Sequence, residues 1–293
     1  MDAQLFKVLE VKPAQGALIL KVWLRMYWQD TRLAWDPSQF GGVTTTFYQA
    51  AGFQGAEDNE IWIPDIQPYN GLQNTFSTLD PAIATVSSDG QVFLSRPGTL
   101  DVMCKFSGLV AFPYDSLTCP VEFGGWGYSG GWQGILLHGG GFSISSQEVT
   151  SGTSYQEYLI QDTTVKRVNY AYDCCPSEPW PVVIYKMKLS RASAFYITVS
   201  LFPGICVTLL SFAVFWSDTA SADALGYGVS VVIVNLLANL VLIDLLPACG
   251  EVIWIDIFST TNTVFCVISL VQSAFNIMCA LGTLKYWSDM LLP

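Results

Sequence analysis

Residues 224–243, ALGYGVSVVIVNLLANLVLI, form a run of 20 residues without a charge, bounded by Asp223 and Asp244. A helix needs about 20 apolar residues to cross a lipid bilayer. Two more uncharged runs, at 194–216 and 257–284, lie on either side of this one, and the connections are short. Three successive runs predict three membrane-spanning helices rather than the buried helices of a large soluble core.

One face of the central helix is acidic at both ends and apolar in the middle. With about 100° of rotation per residue, this face contains Asp223, Gly226, Ser230, Ile233, Leu237, Leu240 and Asp244. Copies of such a helix around an axis would form two carboxylate rings that favour cations and an apolar constriction that gates by dewetting. A helix that only packs against its neighbours, with the aspartates marking the membrane interfaces, explains the same pattern. Asn235 and Asn239 lie together on the opposite face, where their side chains can form hydrogen bonds to neighbouring helices.

The first part of the chain has a different pattern. Residues 1–191 carry most of the charge, and their short apolar runs alternate with turn signals such as Asp89-Gly90 and Pro97-Gly98. The segment 16–28 suits a strand in a sandwich. Many short strands separated by regular turns predict an all-β sandwich of the immunoglobulin-like type, which ends near Arg191.

Composition excludes several classes of protein. Hydrophobic residues make up 51% of the chain and charged residues 13%, which is too apolar for an ordinary soluble protein. The net charge is −11 with 13 basic residues and no basic cluster, which argues against nucleic-acid binding. An acidic surface raises the local concentration of cations. None of the eight cysteines lies in a zinc-binding pattern, so we expect no metal and no cofactor.

Cys104 and Cys119 enclose the segment KFSGLVAFPYDSLT, which contains Phe112-Pro113-Tyr114-Asp115. This segment resembles the signature loop of the Cys-loop receptor family, in which a disulfide closes a short loop with an aromatic-Pro-x-Asp core. The loop is one residue longer here than in the family. The resemblance implies a Cys104–Cys119 disulfide and hence an oxidising, extracellular environment.

Further segments resemble the nicotinic members of this family, in the family's order. They are Val22-Trp23-Leu24; Trp62-Ile63-Pro64-Asp65-Ile66 with Tyr69-Asn70; Gly124-Gly125-Trp126-Gly127-Tyr128; Tyr172-Asp173-Cys174-Cys175 with Glu178-Pro179-Trp180; and Arg191 with Phe195-Tyr196 and Pro203. Each motif alone is a weak or moderate signal. Their order, followed by three membrane spans, is a strong one.

The resemblance implies a ligand site between two subunits. Its principal side would contain Tyr69, Trp126, Tyr172 and Trp180 with a Cys174–Cys175 disulfide, and its complementary side Trp23, Phe93 and Ser95. An aromatic face attracts a cation by roughly 0.5–2 kcal/mol. Core packing is the alternative for any single aromatic residue. The loop before Trp180 is one residue longer than usual.

The resemblance also implies residues that couple the two parts of the chain. These are Pro13, Phe112, Pro113, Asp115 and Arg191, which would meet the connection 246–251. Asp115 and Glu10 are the two candidate partners for Arg191. Anion channels of the family carry a Pro-Ala-Arg-like sequence where this chain has Ser221-Ala222-Asp223-Ala224, so the resemblance favours cation selectivity.

The function implied is that of a neurotransmitter-gated or amine-gated cation channel subunit in the plasma membrane, with its N-terminal domain outside. Its partners would be a small acetylcholine-like amine, monovalent cations with Ca²⁺ as a further candidate, membrane lipid and other subunits. Since one chain carries principal and complementary residues, a homopentamer can form complete sites; a heteropentamer is the other possibility. A membrane-anchored amine-binding module without conduction is the alternative function.

The family has four membrane helices, whereas this chain contains three. Residues 284–293, LKYWSDMLLP, resemble the short amphipathic helix that opens the family's cytoplasmic region. We therefore expect a β-sandwich over 1–191, membrane helices over 192–279 and the beginning of the cytoplasmic region over 280–293.

An enzyme is a competing interpretation, because Gly127-Tyr128-Ser129-Gly130-Gly131 matches GxSxG and His138-Gly139-Gly140-Gly141 matches HGGG. HGGG normally precedes the nucleophile, whereas here it follows. His138 is the only histidine in the chain. It cannot be part of an oxyanion-hole HGGG motif and also act as the general base of a catalytic triad. We expect no enzymatic activity.

Overall fold

The computed structural model describes residues 1–50, 59–73, 78–138, 142–144, 154–155, 157–216, 222–243 and 250–291. Asp244 and most of the connection 246–251 lie outside the described residues. The chain divides into two compact units. The first comprises Met1–Ser107 and Ser116–Ser190, and the second comprises Gly108–Asp115 and Arg191–Pro293.

The first unit is a β-sandwich, as predicted. Its described strands are β1 (Asp2–Lys12), β2 (Ala17–Gln29), β3 (Thr45–Ala50), β4 (Gln67–Pro68), β5 (Ala82–Ser87), β6 (Gln91–Met103), β7 (Ser116–Gly124), β8 (Phe142–Ile144), β9 (Ser154–Tyr155), β10 (Tyr158–Tyr170) and β11 (Trp180–Arg191). One sheet has the order β3-β5-β6-β2-β1-β8 and the other the order β4-β7-β11-β10-β9. Short 3-10 helices lie at Pro13–Gln15, Thr31–Leu33, Pro37–Phe40 and Leu109–Ala111.

Strand β2 shows why the sandwich forms. Its even-numbered residues from Leu18 to Met26 are buried, whereas the odd-numbered ones from Ile19 to Arg25 are partly exposed. Successive side chains of a strand point to opposite faces, so this alternation fixes which face meets the core. In the other sheet, Phe123 of β7 packs edge-on against Tyr185 of β11, with ring centroids 5.9 Å apart.

The inner face of β6 contains a charged residue. Arg96 is 2% exposed, and its guanidinium donates to the carbonyl oxygens of Leu79, at 2.5 Å, and Asp80, at 3.1 Å. Burial lowers the pKa of Arg96 to about 10, although Asp80 opposes this shift. Two positions along the same face, a Cβ on Gly98 would lie 2.2 Å from the Thr78 carbonyl oxygen. The segment 78–80 therefore lies directly on β6.

Three helices of the second unit are long and apolar enough to cross a membrane: α1 (Ala194–Trp216), α2 (Ala222–Ile243) and α3 (Trp254–Leu291). Helix α1 contains a π-helical turn at Ile197–Leu201 and ends in a 3-10 turn at Phe212–Trp216. Pro203 has no N–H and its ring clashes with the carbonyl four residues earlier, which explains the widened turn.

Helix α3 extends into the end of the chain. The resemblance implies a short amphipathic helix at the beginning of the cytoplasmic region over 280–293, and the structure has one continuous helix to Leu291. Gly282 weakens a helix near this point, and no proline occurs between Gly282 and Pro293. The sequence therefore contains no residue that would end the helix at the membrane boundary.

Polar side chains join the three helices. Asn235 and Asn239 of α2 both donate to the Thr263 hydroxyl of α3, at 2.8 and 3.0 Å. The Ser269 hydroxyl of α3 donates to the Ser211 carbonyl of α1, at 2.8 Å. The sequence predicted interhelical bonds for both asparagines, and the structure identifies their common partner.

Candidate functional site

The five-stranded sheet supplies the predicted principal residues. Tyr69 follows β4, Trp126 follows β7, and the segment between β10 and β11 carries Tyr172 and leads to Trp180. The Tyr69 and Trp126 rings lie edge to face with centroids 6.1 Å apart, and those of Tyr172 and Trp180 lie 6.3 Å apart. Trp126 is 72% exposed and Tyr172 43% exposed, so these rings are accessible to a ligand.

Tyr69 is held by β7. Its hydroxyl donates to the Gly125 carbonyl at 2.6 Å, and its ring occupies the space where a side chain on Gly124 would lie. Burial raises the pKa of Tyr69 to about 12, with smaller contributions from Tyr172 and nearby carboxylates. The phenol therefore stays neutral at physiological pH and keeps its role as a donor.

The loop that carries Trp126 is fixed by Asp65. The Asp65 carboxylate accepts from the backbone N–H groups of Trp126 and Gly127, at 2.8 and 2.6 Å. The Gln133 side chain in turn bonds both the backbone N–H and the carbonyl of Asp65, at 2.9 and 2.7 Å. Bonds to a charged carboxylate are stronger than neutral ones, so the indole of Trp126 projects from a rigid base.

The loop with the two adjacent cysteines closes on itself. Cys174 and Cys175 are bonded, with Cα atoms 3.8 Å apart. The Cys175 N–H donates to the Tyr172 carbonyl at 3.0 Å, and Glu178 N–H donates to the Cys175 carbonyl at 3.1 Å. At the base, Gly130 N–H donates to the Pro179 carbonyl at 2.8 Å, which ties this loop to the one after Trp126.

The predicted complementary residues lie on the six-stranded sheet. Register pairs Arg25 with Ser95 and Tyr27 with Phe93, so Trp23, Phe93 and Ser95 share one face of β2 and β6. Trp23 stacks on Phe6 with ring centroids 5.3 Å apart, and the Arg25 guanidinium carbon lies 5.8 Å from the Trp23 ring centroid. One chain therefore presents the two predicted sides of the site on different sheets.

The predicted pore residues lie on one accessible side of α2. Asp223, Gly226, Ser230, Ile233, Leu237 and Leu240 are all exposed in the single chain, and Asp244 lies outside the described residues. The buried residues of α2 include Ala224, Val231 and Asn235.

Of the five predicted coupling residues, Phe112, Pro113, Asp115 and Arg191 lie in the second unit, whereas Pro13 lies in the first. Arg191 makes two bonds to the Asp115 carboxylate, at 2.7 and 3.0 Å, and both side chains are almost completely buried. The guanidinium lies over the Phe112 ring, 4.5 Å from its centroid, and 5.5 Å from that of Tyr196. The Phe112–Pro113 peptide bond is cis.

Of the two carboxylates considered for Arg191, the structure selects Asp115. Glu10 instead lies 3.2 Å from Lys12 in the first unit, where Pro13 begins a short 3-10 helix. Cys104 and Cys119, which flank the loop, form the predicted disulfide.

Sequence reasoning missed three residues that lie beside the predicted ligand-binding residues: Gln133, Glu122 and Tyr170. The Tyr170 hydroxyl donates to Glu122 Oε2 at 3.0 Å, across 48 positions in sequence. The alternating burial of β7 places Glu122 on an outer face, but the pattern does not identify its partner.

Among the described residues the hydrolase motifs do not form a site, and 139–141 of the HGGG motif lie outside those residues. Ser129 is 3% exposed, and its carbonyl accepts the backbone N–H groups of Trp132 and Gln133. His138 stacks on Tyr27 with ring centroids 4.0 Å apart. Ser129 is therefore a buried turn residue and not an accessible nucleophile.

Comparison with known proteins identifies a matching family and several relatives. Residues 1–193 match the family described as neurotransmitter-gated ion-channel ligand binding domain. Acetylcholine receptor subunit alpha-like 2 of Drosophila melanogaster is 26% identical over 85% of this chain and 42% of its own length. Acetylcholine receptor subunit alpha-type acr-16 of Caenorhabditis elegans is 29% identical over 72% of the chain and 39% of its own length.

A human relative covers more of the chain. Neuronal acetylcholine receptor subunit alpha-3 of Homo sapiens is 26% identical over 93% of this chain and 51% of its own length. The chain thus spans about half the length of these relatives, or less.

Proposed function

Because this chain belongs to the neurotransmitter-gated ion-channel family, we propose that it is a subunit of an amine-gated, cation-selective channel. Proteins of this family are multi-pass plasma-membrane channels with an extracellular ligand-binding domain, and they are not enzymes. The three apolar helices agree with that location. Acetylcholine is the first ligand to test, since the relatives are named as acetylcholine receptor subunits.

The observation that carries the proposal is the group of aromatic side chains at one end of the five-stranded sheet. The two edge-to-face pairs, Tyr69 with Trp126 and Tyr172 with Trp180, come from three separate segments, and each pair has one exposed ring, Trp126 or Tyr172. Aromatic faces bind organic cations, and tryptophan is the strongest of them. Asp65 holds the Trp126 loop in place, so the rings are organised before a ligand arrives.

Cation selectivity rests on α2. Asp223 lies in its first turn and is exposed, followed along the same face by small, polar and then apolar residues. In a pentamer these residues line the pore, and Asp223 forms a carboxylate ring that attracts monovalent cations and Ca²⁺. Trp23, Phe93 and Ser95 of one copy complete the ligand site of the next, so identical chains can assemble a homopentamer.

Ligand binding reaches the pore through the loop between β6 and β7. Residues 108–115 pack with the helical unit, where Phe112, Tyr196, Leu242, Ile253 and Ile255 form one buried cluster. Closure of the Cys174–Cys175 loop over the ligand shifts the β-sandwich, and the 108–115 loop then moves the buried cluster. Helix α2 tilts in response, until water enters the constriction formed by the Ile233 side chains of the five subunits.

The ligand site is tested by recording current from cells or bilayers that contain the channel, with acetylcholine and other small amines applied. Trp126→Ala should raise the half-maximal concentration by about tenfold or more, or abolish the response. Trp132→Ala is the matched control, because Trp132 is 83% exposed and lies outside the aromatic pairs. Unchanged potency in Trp126→Ala would show that the ligand binds elsewhere.

The pore is tested with the reversal potential in a salt gradient. Asp223→Asn should lower the cation-to-anion permeability ratio, whereas Asp162→Asn removes the same charge from the exposed surface of β10 and should not. Ligand binding without current under any amine would favour the alternative function, a membrane-anchored binding module.

A further inference from the structure

We propose that Glu122 is the charged recognition group of the ligand site and that the preferred ligand is a protonated amine with at least one N–H, rather than a quaternary ammonium ion. This inference rests on the proposed function, since it assumes that an organic cation binds at the aromatic side chains. It narrows the ligand class and gives a role to a residue that the sequence motifs did not identify.

The pairing of β4 with β7 places Glu122 beside Tyr69. Gln67 faces Gly124 and Pro68 faces Phe123, and the Tyr69 N–H continues this register by donating to the Glu122 carbonyl at 2.7 Å. Residues that face each other across antiparallel strands point to the same side, with Cβ atoms about 5 Å apart. The Glu122 side chain therefore lies on the side that carries the Tyr69 ring.

Both the backbone and the carboxylate of Glu122 are held in place. Its N–H donates to Asn70 Oδ1 at 3.0 Å, and its Oε2 accepts from the Tyr170 hydroxyl at 3.0 Å. Tyr170 precedes Tyr172 by two positions at the end of β10. Burial and the bond to Glu122 raise the pKa of Tyr170, so it remains a neutral donor. The carboxylate is thus fixed between Tyr69 and the loop that carries Tyr172.

The local charge of the site is negative. Asp65 and Glu122 are both close enough to Tyr69 to raise its pKa. Within the part of the chain that the structure describes, neither Asp65 nor Glu122 forms an ion pair with a lysine or arginine. A cationic ligand supplies the missing positive charge.

The chemistry distinguishes two kinds of cation. A quaternary ammonium ion has no N–H and interacts with aromatic faces alone. A protonated tertiary, secondary or primary amine can also donate to a carboxylate, and such charge-assisted bonds are about twice as strong as neutral ones. Tyr170 contacts one carboxylate oxygen, and the second oxygen of Glu122 is the acceptor for the ligand.

The test uses two probes that differ by one N–H, trimethylammonium and tetramethylammonium, titrated into the purified full chain while tryptophan fluorescence is recorded. The wild type should bind trimethylammonium about tenfold more tightly. Glu122→Gln should abolish this preference by weakening trimethylammonium about tenfold while tetramethylammonium changes less than about threefold. Tyr170→Phe should reduce the preference partially, because the carboxylate loses its anchor.

Asp162→Asn is the control for loss of one negative charge, and it should leave both affinities unchanged. Equal weakening of both probes by Glu122→Gln, or no preference in the wild type, would overturn the inference. If Glu122→Gln does not fold, the wild-type preference and Tyr170→Phe decide the question.

Trp126→Ala distinguishes an error in the role of Glu122 from an error in the location of the ligand site. If it abolishes binding of both probes while Glu122→Gln changes nothing, the site is correct and only the role of Glu122 is wrong. If Trp126→Ala leaves both affinities unchanged, the proposed ligand site itself is wrong.

Discussion

Removing the negative charge beside Arg191 gives the sharpest test of the coupling cluster. In Asp115→Asn the guanidinium would keep its position over the Phe112 ring but lose the Asp115 carboxylate. The side chains of Arg191 and Asp115 are only 3% and 0% exposed, so water cannot replace the missing charge. The variant therefore leaves the Arg191 cation in a buried site without the Asp115 carboxylate.

The size of the effect follows from this burial. An exposed ion pair contributes about 0–1 kcal/mol, whereas breaking a buried one by removing a single partner costs about 3–5 kcal/mol. Two short bonds, at 2.7 and 3.0 Å, are lost together. We expect Asp115→Asn to lower the free energy of unfolding by about 3–5 kcal/mol.

Denaturant unfolding of the purified chain in detergent, followed by tryptophan fluorescence and circular dichroism, measures this loss. Trp254 contributes to the signal near the cluster, because its ring centroid lies 6.1 Å from that of Tyr114 in the same loop as Asp115. Replacing both partners, as Arg191→Met with Asp115→Leu, should recover most of the stability, since apolar pairs of similar volume are often neutral or stabilising. A loss below about 1 kcal/mol for Asp115→Asn, or a double variant as unstable as the sum of the singles, would refute the reasoning.

Three further substitutions test other contacts. Thr263→Val removes the common acceptor of two asparagines and should destabilise the helical unit by about 1–2 kcal/mol in detergent unfolding, whereas Thr263→Ser should not. Gly124→Ala places a Cβ 2.5 Å from Tyr69 Cζ, so we expect a loss of about 1–3 kcal/mol and weaker ligand binding. Gly134→Ala is its control, because a Cβ there meets nothing within 4 Å. Asp65→Asn should weaken the bonds to two backbone N–H groups after β7, with a loss of about 1–2 kcal/mol in thermal or denaturant unfolding and a lower amine affinity in fluorescence titration.

The sequence by itself determined the elements of this protein. An uncharged run of 20 residues at 224–243 has one stable arrangement in a membrane, a helix, because every backbone group must be bonded within the segment. The alternation along β2 likewise fixed which side chains enter the core. Asn235 and Asn239 were assigned to the packed side of α2 from helical periodicity alone.

The sequence does not determine where helix α3 ends. The segment 284–293 resembles the short amphipathic helix that opens the family's cytoplasmic region, and in the structure α3 continues to Leu291. Gly282 weakens a helix by about 1 kcal/mol without breaking it. Without a proline or a capping residue, the hydrogen-bonded backbone simply continues.

Only the tertiary structure decided which side chains meet. Arg191 pairs with Asp115, 76 positions away, rather than with Glu10, and the Tyr170 hydroxyl donates a hydrogen bond to Glu122. Arg96 lies on the inner face of a strand, where alternation predicts an apolar residue, and backbone carbonyls satisfy it. Periodicity assigns a residue to a face, but strand order and register select its neighbours. Those neighbours, and not the motif, determine whether a carboxylate is paired or is available to a ligand.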